Sequence, residues 1–178
     1  MPERMAGQGA GGENELSSSL MTVSHAREIA GWSYAPPYDF YDMGEDDETI
    51  EELMRYTAIL KGGALFGFYC LGSWAQVPAG RELGCYREES GAVDIGLGMD
   101  PEHAGRGEGT RFVSYVVAEA IRIGSPSLLR LTVASFNLRA KKVYERLGFR
   151  IVGNFKAGTT DFEVMELPSA ADGLVGIR

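Results

Sequence analysis

The feature that most constrains this chain is a strand, a glycine loop and a helix in direct succession. "AVDIGLGMD" (92–100) alternates Val93, Ile95, Leu97 and Met99 on one face, the period of a half-buried strand. "PEHAGRGEGT" (101–110) follows, with Gly105, Gly107 and Gly109 at alternate positions. Phe112, Val116 and Ala120 then form one i, i+4 row, and Val113, Val117 and Ile121 form the next. Those rows predict a helix of about four turns with a wide apolar stripe. The first amides of such a helix have no internal partners, and its dipole is positive at that end. Glycine lets a ligand come close to the backbone. Together these features make an anion cradle, to which Arg106 can add charge.

The flanking residues decide which anion. A Walker A loop needs a lysine after its last glycine, and this loop holds none. A Rossmann fingerprint has the spacing GxGxxG and an acid ending the next strand. Here the spacing is GxGxG, and no acid ends the strand expected at Leu128–Ala134. No magnesium ligands accompany the loop. The cradle therefore suits a pyrophosphate whose own charge is not being changed by the chemistry.

The rest of the chain reads as one mixed α/β domain. The expected elements are a strand near Glu15–Met21, a helix capped by Ser24 and running to Ala30, and an irregular aromatic segment "WSYAPPYDFYDM" (32–43). A helix over 46–57 follows, then strands at Ala58–Lys61 and Ala64–Trp74 joined by a glycine turn. Beyond Leu128–Ala134, Ala140, Val143, Tyr144 and Leu147 repeat at i, i+3, i+4 and i+7, with Arg139, Lys141 and Arg146 off that stripe. Asn137 is placed to cap this helix and Gly148 to end it. Strands near Phe149–Lys156 and Asp161–Leu167 close the domain. Residues 1–13 are Gly-rich and polar, the composition of a disordered arm, and 168–178 read as a tail. The domain proper is 14–167.

Charge and composition exclude some functions. A net charge of -8 argues against general nucleic-acid binding, which needs a positive footprint. No apolar run approaches the length of a membrane span, and no signal-peptide core is legible. Two cysteines, Cys70 and Cys85, make no disulfide framework. His25 and His103 are the only histidines, so no metal site is expected. A cytoplasmic location is the expectation.

"PEHAGRGEGT" at a strand–helix junction, followed by "NLRAKKVYERLGF" after the next strand, resembles the GNAT superfamily of N-acetyltransferases. The resemblance covers about residues 15–167. The family's second motif, Asn-x-x-Ala-x-x-x-Tyr-x-x-x-Gly-Phe, is complete in Asn137, Ala140, Tyr144, Gly148 and Phe149. Gly105 and Gly107 match the family's Gln/Arg-x-x-Gly-x-Gly/Ala loop. Glu102 and Ala104 depart from it, which weakens side-chain recognition of phosphates and leaves backbone recognition in place. The fold implied is a mixed, mostly antiparallel twisted sheet of six to seven strands with about four helices. Two parallel central strands, Ala92–Asp100 and Leu128–Ala134, are splayed in it.

The resemblance also implies acetyl-CoA as cosubstrate, no metal, and a primary amine of a small molecule or peptide as acceptor. It leaves a homodimer open. Backbone at Leu97, Gly98 and Met99, the loop Ala104, Gly105, Arg106, Gly107, Glu108, Gly109 and Thr110, and Asn137 are the implied cosubstrate contacts. Gly96 and Gly98 would leave room for the pantetheine arm. Tyr144 is the implied general acid. Asp94, on the same strand face as those two glycines, points toward the presumed cleft and is the candidate base, with Glu88 and Glu89 as alternatives. His103 reads as a surface residue. Trp32, Tyr34, Tyr38, Asp39 and Tyr41 would hold the acceptor, and Asp42 could add charge. Two other readings stay open at this point: a CoA-binding domain without catalysis, and a nucleotide-binding fold.

Overall fold

The computed structural model describes Gly12 and residues 14–169. The arm expected at 1–13 and the tail at 168–178 otherwise lie outside the described residues. Pro168 itself closes the last strand.

The first strand, β1, spans Leu16–Leu20. Helix α1, Val23–Ala30, is capped by Thr22, whose hydroxyl accepts from the His25 amide. Ser24 was the expected cap, but Thr22 has the extended backbone that a cap requires, φ -106° and ψ 161°, and Ser24 lies inside the helix. Helix α2, Asp47–Leu53, is capped by Asp46. It stops short of the expected residue 57 because Thr57 already pairs with Tyr69 in the sheet. Strands β2, Thr57–Lys61, and β3, Ala64–Leu71, follow. Their turn uses Gly62 and Gly63, both at positive φ. Beyond β3 a 3-10 turn over Gly72–Ala75 takes the residues expected to extend that strand. A short helix that the sequence reading missed, α3, covers Pro78–Glu82. Then come β4, Ala92–Met99, and α4, Gly109–Gly124. The chain continues as β5, Leu128–Ala134, and α5, Leu138–Arg146. Strands β6, Arg150–Ala157, and β7, Thr160–Pro168, end it.

The seven strands form one sheet in the order β1-β2-β3-β4-β5-β7-β6. Every pairing is antiparallel except β4 with β5. Expected and observed sheets agree, the parallel central pair included. Among the described residues there are five α-helices rather than about four, the additional one being α3. None of these helices is long and apolar enough to cross a membrane.

One core cluster joins the sheet to α4 and α5. The buried stripe of α4, with Phe112, Val113, Val116 and Ala120, packs with Phe66, Leu129 and Met165 from the strands. Phe149, the last residue of the second motif, is fully buried there. A second cluster seats α1 and α2 through Ile29 and Leu53, with Ala58 and Phe68 of the sheet.

The packing is tight where β3 passes beneath α4. A methyl group on Gly67 would lie 2.6 Å from the Phe112 ring and 2.7 Å from the Gly98 carbonyl, and the backbone there has no room to yield. Gly67→Ala should therefore destabilise the fold by about 1–3 kcal/mol through overpacking. Urea melts of the two proteins measure this, and an unchanged midpoint would contradict the packing described.

Candidate active site

The pairing of β4 with β5 is brief. Ala92, Val93 and Asp94 face Leu128, Leu129 and Arg130, and no pairing continues beyond them. On its other edge β4 stays bonded to β3 from Ile95 to Met99. The facing edges of β4 and β5 are thus left open over their C-terminal halves. A cleft of about 780 Å³ occupies this gap and runs from the glycine loop to the aromatic segment. Leu97, Gly98 and Met99 line it from one side, and Leu131, Thr132 and Val133 from the other.

At one end the cleft meets the start of α4. Glu108 occupies the cap position with helical backbone, and no side chain caps the helix. The Phe112 amide bonds to the Glu108 carbonyl, so the first-turn amides before it have no partner within the helix. Gly105 and Gly107 have φ of 74° and 81°, a conformation open to glycine and costly for other residues. Gly109 lets α4 approach α5, since a methyl group there would lie 3.2 Å from Val143. The loop alternates: Ala104, Gly105, Gly107, Gly109 and Thr110 line the cleft, while Arg106 and Glu108 do not. Arg106 is exposed. The Glu108 carboxylate lies 2.6 Å from the Lys61 ammonium and 3.3 Å from His103. Lys61 holds the Glu108 carboxyl below its ordinary pKa. His103 packs its ring on Phe66 and is only partly exposed.

The positive charge at this end comes instead from α5. Arg139, Lys142 and Arg146 line the cleft, and their spacing of i, i+3 and i+7 puts them on one helix face. The Arg146 guanidinium donates to the Thr110 hydroxyl at 3.1 Å. Arg139 stacks over the Tyr38 ring at 4.1 Å. The apolar stripe of α5 does not reveal this basic face. The same periodicity applied to the charged residues would have found it. Lys141, off that face, pairs with Glu163 at 2.6 Å.

Asn137 caps α5, its side-chain oxygen accepting from the Ala140 amide at 3.1 Å, and its NH2 group donates to the Tyr41 hydroxyl. Tyr144 lines the cleft from α5 and packs edge-on against Phe149. Burial pushes its phenol above the ordinary value, with a further push from Tyr41. No hydrogen bond from another described residue lowers it. The phenol is therefore protonated across the neutral range.

The aromatic segment divides between the two roles open to it. Trp32, Tyr34, Tyr38 and Tyr41 line the cleft. Phe40 instead packs on Phe136 and Phe162 and covers the end of the sheet. Asp39 is exposed and does not line the cleft. Asp42 is taken up by the Ser33 hydroxyl and the Tyr34 amide. Between these aromatics the segment bridges the gap. The Tyr34 hydroxyl donates to the Met99 carbonyl at 2.8 Å, and the Tyr41 hydroxyl accepts from Asn137 at 3.1 Å. Tyr56, Phe68, Cys70 and Trp74 complete this end of the cleft. They come from β3 and its surroundings, where nothing local marks them.

Asp94 does not stand where a base would. It is 3% exposed, and Arg130 grips it with two hydrogen bonds of 2.6 and 2.8 Å. Gln76 donates a third at 2.8 Å. Its strand face is the expected one, but Asp94 itself is enclosed by Arg130 and Gln76 and does not line the cleft, as Gly96 and Gly98 further along do. A methyl group on Gly96 would lie 2.7 Å from the Cys70 sulfur, and one on Gly98 2.4 Å from the Phe68 ring. Part of the space left by these glycines holds Cys70 and Phe68 of β3, which line the cleft with them. Glu88 is exposed and outside the cleft, and the Glu89 side chain lies outside the described residues. Among the described residues no carboxylate lines the cleft.

The acetyltransferase (GNAT) family model matches residues 20–149, and the chain belongs to that family. It is an acyltransferase, and acetyl-CoA is the family's cosubstrate. No curated protein sequence matches the chain significantly. Solved structures share the fold at low identity. An aminoglycoside acetyltransferase, AAC(6')-Ib in complex with coenzyme A, is 16% identical with a TM-score of 0.66, over 86% of this chain and 95% of that one. A spermidine N-acetyltransferase chimera of Vibrio cholerae SpeG and hSSAT is 17% identical with a TM-score of 0.64, over 86% and 95%. yncA of Salmonella typhimurium, solved with acetyl-CoA, is 17% identical with a TM-score of 0.59, over 90% and 97%.

The buried pair gives a prediction that separates structure from catalysis. Asp94→Asn leaves the Arg130 charge buried without its partner and should cost about 3–5 kcal/mol in denaturant melts. At a temperature where the variant stays folded, turnover should persist. Losing a general base would instead lower it by about 10²–10⁴-fold.

Proposed function

We propose that this chain transfers the acetyl group of acetyl-CoA to the primary amine of a small molecule with an apolar or aromatic body. The observation that carries the proposal is the cleft between β4 and β5, whose two ends have opposite chemistry. One end offers uncapped amides and the basic face of α5. The other is aromatic and, among the described residues, has no carboxylate in its lining.

The residues present fit acetyl-CoA. Unpartnered amides at a helix start favour a pyrophosphate, and Arg139, Lys142 and Arg146 supply charge for phosphates. The open edges of β4 and β5 offer unpaired amides and carbonyls to an amide-containing arm. Bound acetyl-CoA supplies an activated thioester. The chain's own residues bind, orient and protonate. Leu97, Gly98 and Met99 provide the backbone contacts, and Gly105, Gly107, Gly109 and Thr110 form the cradle. Asn137 orients α5 through its cap. Tyr144 holds a proton at Oη and delivers it to the departing sulfur. Ala104, Arg106 and Glu108 are at most indirect contributors, Arg106 by long-range charge and Glu108 by fixing the loop to Lys61.

Trp32, Tyr34, Tyr38 and Tyr41 hold the acceptor. Their segment is tied to both sides of the gap, at Met99 and at Asn137, which favours a small molecule over a folded protein or long peptide. Polycations, the acceptors named for two of the structural neighbours, are best held by several carboxylates. This cleft lacks those. One amine on an apolar body fits better, with cation–π contact to the rings. The free cysteines, one buried and one half-buried, agree with a reducing compartment such as the cytoplasm.

A thiol-release assay with a panel of aromatic and aliphatic monoamines, spermidine, an aminoglycoside and peptides with free N-termini tests the function. Monoamines with rings should give the highest kcat/KM. Silence across the whole panel would contradict transfer to an amine, and preference for the polycations would contradict the acceptor class.

Tyr144→Phe keeps the ring and its packing and removes the proton. It should lower kcat by about 10²–10⁴-fold with acetyl-CoA Kd, measured by calorimetry, nearly unchanged. Since burial lifts the phenol above its ordinary value of about 10, the acid form persists as pH rises to that value. Turnover of the wild type should then show no alkaline fall from this group below about pH 10. Near-normal turnover with a lowered Tm would make Tyr144 a packing residue only.

A further inference from the structure

A protonated amine must lose a proton to attack, and Asp94 is not available to take it. We propose that Tyr56 and Glu52 do this work, Tyr56 as the group that meets the amine and Glu52 as the acceptor behind it. This rests on the acetyl-transfer reading above.

Tyr56 lies between α2 and β2 and lines the aromatic end of the cleft. Its ring is stacked on Phe68, centroids 5.8 Å apart, and Phe68 is stacked on Trp32 of the aromatic segment. That packing fixes the ring. Its hydroxyl donates to Glu52 Oε1 at 2.5 Å. Glu52 sits four residues earlier on α2, one helical turn back, and is exposed. The arrangement thus connects a hydroxyl at the cleft with a carboxylate in solvent through one hydrogen bond.

Four other carboxylates near the site are otherwise engaged, and Asp39 is exposed outside the cleft lining. Asp94 is held by Arg130 and Gln76, Asp42 by Ser33 and Tyr34, and Glu108 by Lys61. Asp100 accepts from the Glu102 amide in the loop. Among the described residues Glu52 is the carboxylate hydrogen-bonded to a side chain that lines the cleft. Cys70 is the other ionisable group acting on Tyr56. Burial pushes its thiol up to about 12, so it stays neutral and neither accepts the proton nor attacks.

The step balances without a further reactant. The ammonium N–H gives its proton to Tyr56 Oη as Tyr56 passes its own to Glu52 Oε1. The amine becomes neutral, Tyr56 remains a phenol, and Glu52 becomes a carboxylic acid. Glu52 then releases the proton to bulk water. A carboxylate is a weak base toward a free ammonium, so the neutral amine forms in small amount and is drawn off as its freed lone pair attacks the thioester carbonyl. The C–S bond breaks as the C–N bond forms, the sulfur leaves with the proton from Tyr144, the nitrogen's second proton passes to bulk water, and a proton from water restores the Tyr144 phenol.

The test uses Glu52→Gln, which keeps an acceptor for the Tyr56 hydroxyl but takes no proton, and Tyr56→Phe, which keeps the ring. Each is assayed at pH 7 with two acceptors of similar shape, an alkylamine with pKa near 10 and an amine with pKa near 7. Both variants should lose about 100-fold in kcat/KM with the basic amine and under about fivefold with the weakly basic one, much of which is already neutral at that pH. Calorimetric Kd for acetyl-CoA and Tm should stay near wild type. Equal losses with both amines, or losses explained by a lower Tm, would overturn the relay and leave Tyr56 a packing residue. Wild-type rates with both amines in the variants would overturn it as well. If one variant does not fold, the other carries the same comparison. A wild type inactive on every amine contradicts the transferase reading itself, whereas an active wild type with unaffected variants contradicts only the relay.

Discussion

At the last shared rung of β4 and β5, a carboxylate and a guanidinium lie side by side out of water. Asp94 and Arg130 are each 3% exposed and are register partners in the parallel pair. Beyond them the strands part, and everything the site needs lies in that gap. Burying two charges costs desolvation that their attraction does not always recover, yet removing either leaves an uncompensated charge. The surroundings keep both satisfied. Gln76 donates to Asp94, Arg81 in turn donates to Gln76, and the Tyr86 ring lies against Arg130. Tyr86 bonds Thr132, a cleft residue, at 2.8 Å. The junction of the two strands and the wall of the cleft therefore form one polar network.

The charge distribution follows a division of labour. The chain is acidic as a whole, but the charged side chains lining its cleft are Arg139, Lys142 and Arg146. Negative surface elsewhere keeps the protein soluble without weakening a local basic face. In the loop itself Glu108 is neutralised by Lys61. At the opposite end the aromatics are held by one another, by the Met99 carbonyl and by the side chains of Asn137, Arg139 and Glu52.

The residue proposed as the acid was legible in the sequence, and the pair proposed for the base was not. Tyr144 belongs to a helix motif whose period and spacing are local, and a local pattern survives folding. The choice of Asp94 relied on strand alternation, which says which face a residue takes and not what covers that face. Arg130 and Gln76 lie far from it along the chain, and their grip on Asp94 depends on strand order. Glu52 and Tyr56 show the reverse case. Their i, i+4 spacing is ordinary for a helix end, and nothing local says that β3 brings Phe68 and Cys70 beside them.

By itself the sequence determined most of the elements, the glycine cradle, the second motif and the sheet's mixed character, because periodicity, capping residues and glycine placement act within a few residues; α3 and several element ends were not among them. It also held the basic face of α5 in plain spacing. Tertiary structure alone decided where β4 and β5 separate and which loop residues look inward. It decided too that Cys70 and Phe68 pack against Gly96 and Gly98, all four in the lining of the cleft. Those outcomes depend on contacts between strands and helices remote in sequence, where the covering partner of a face is set by packing of the whole chain.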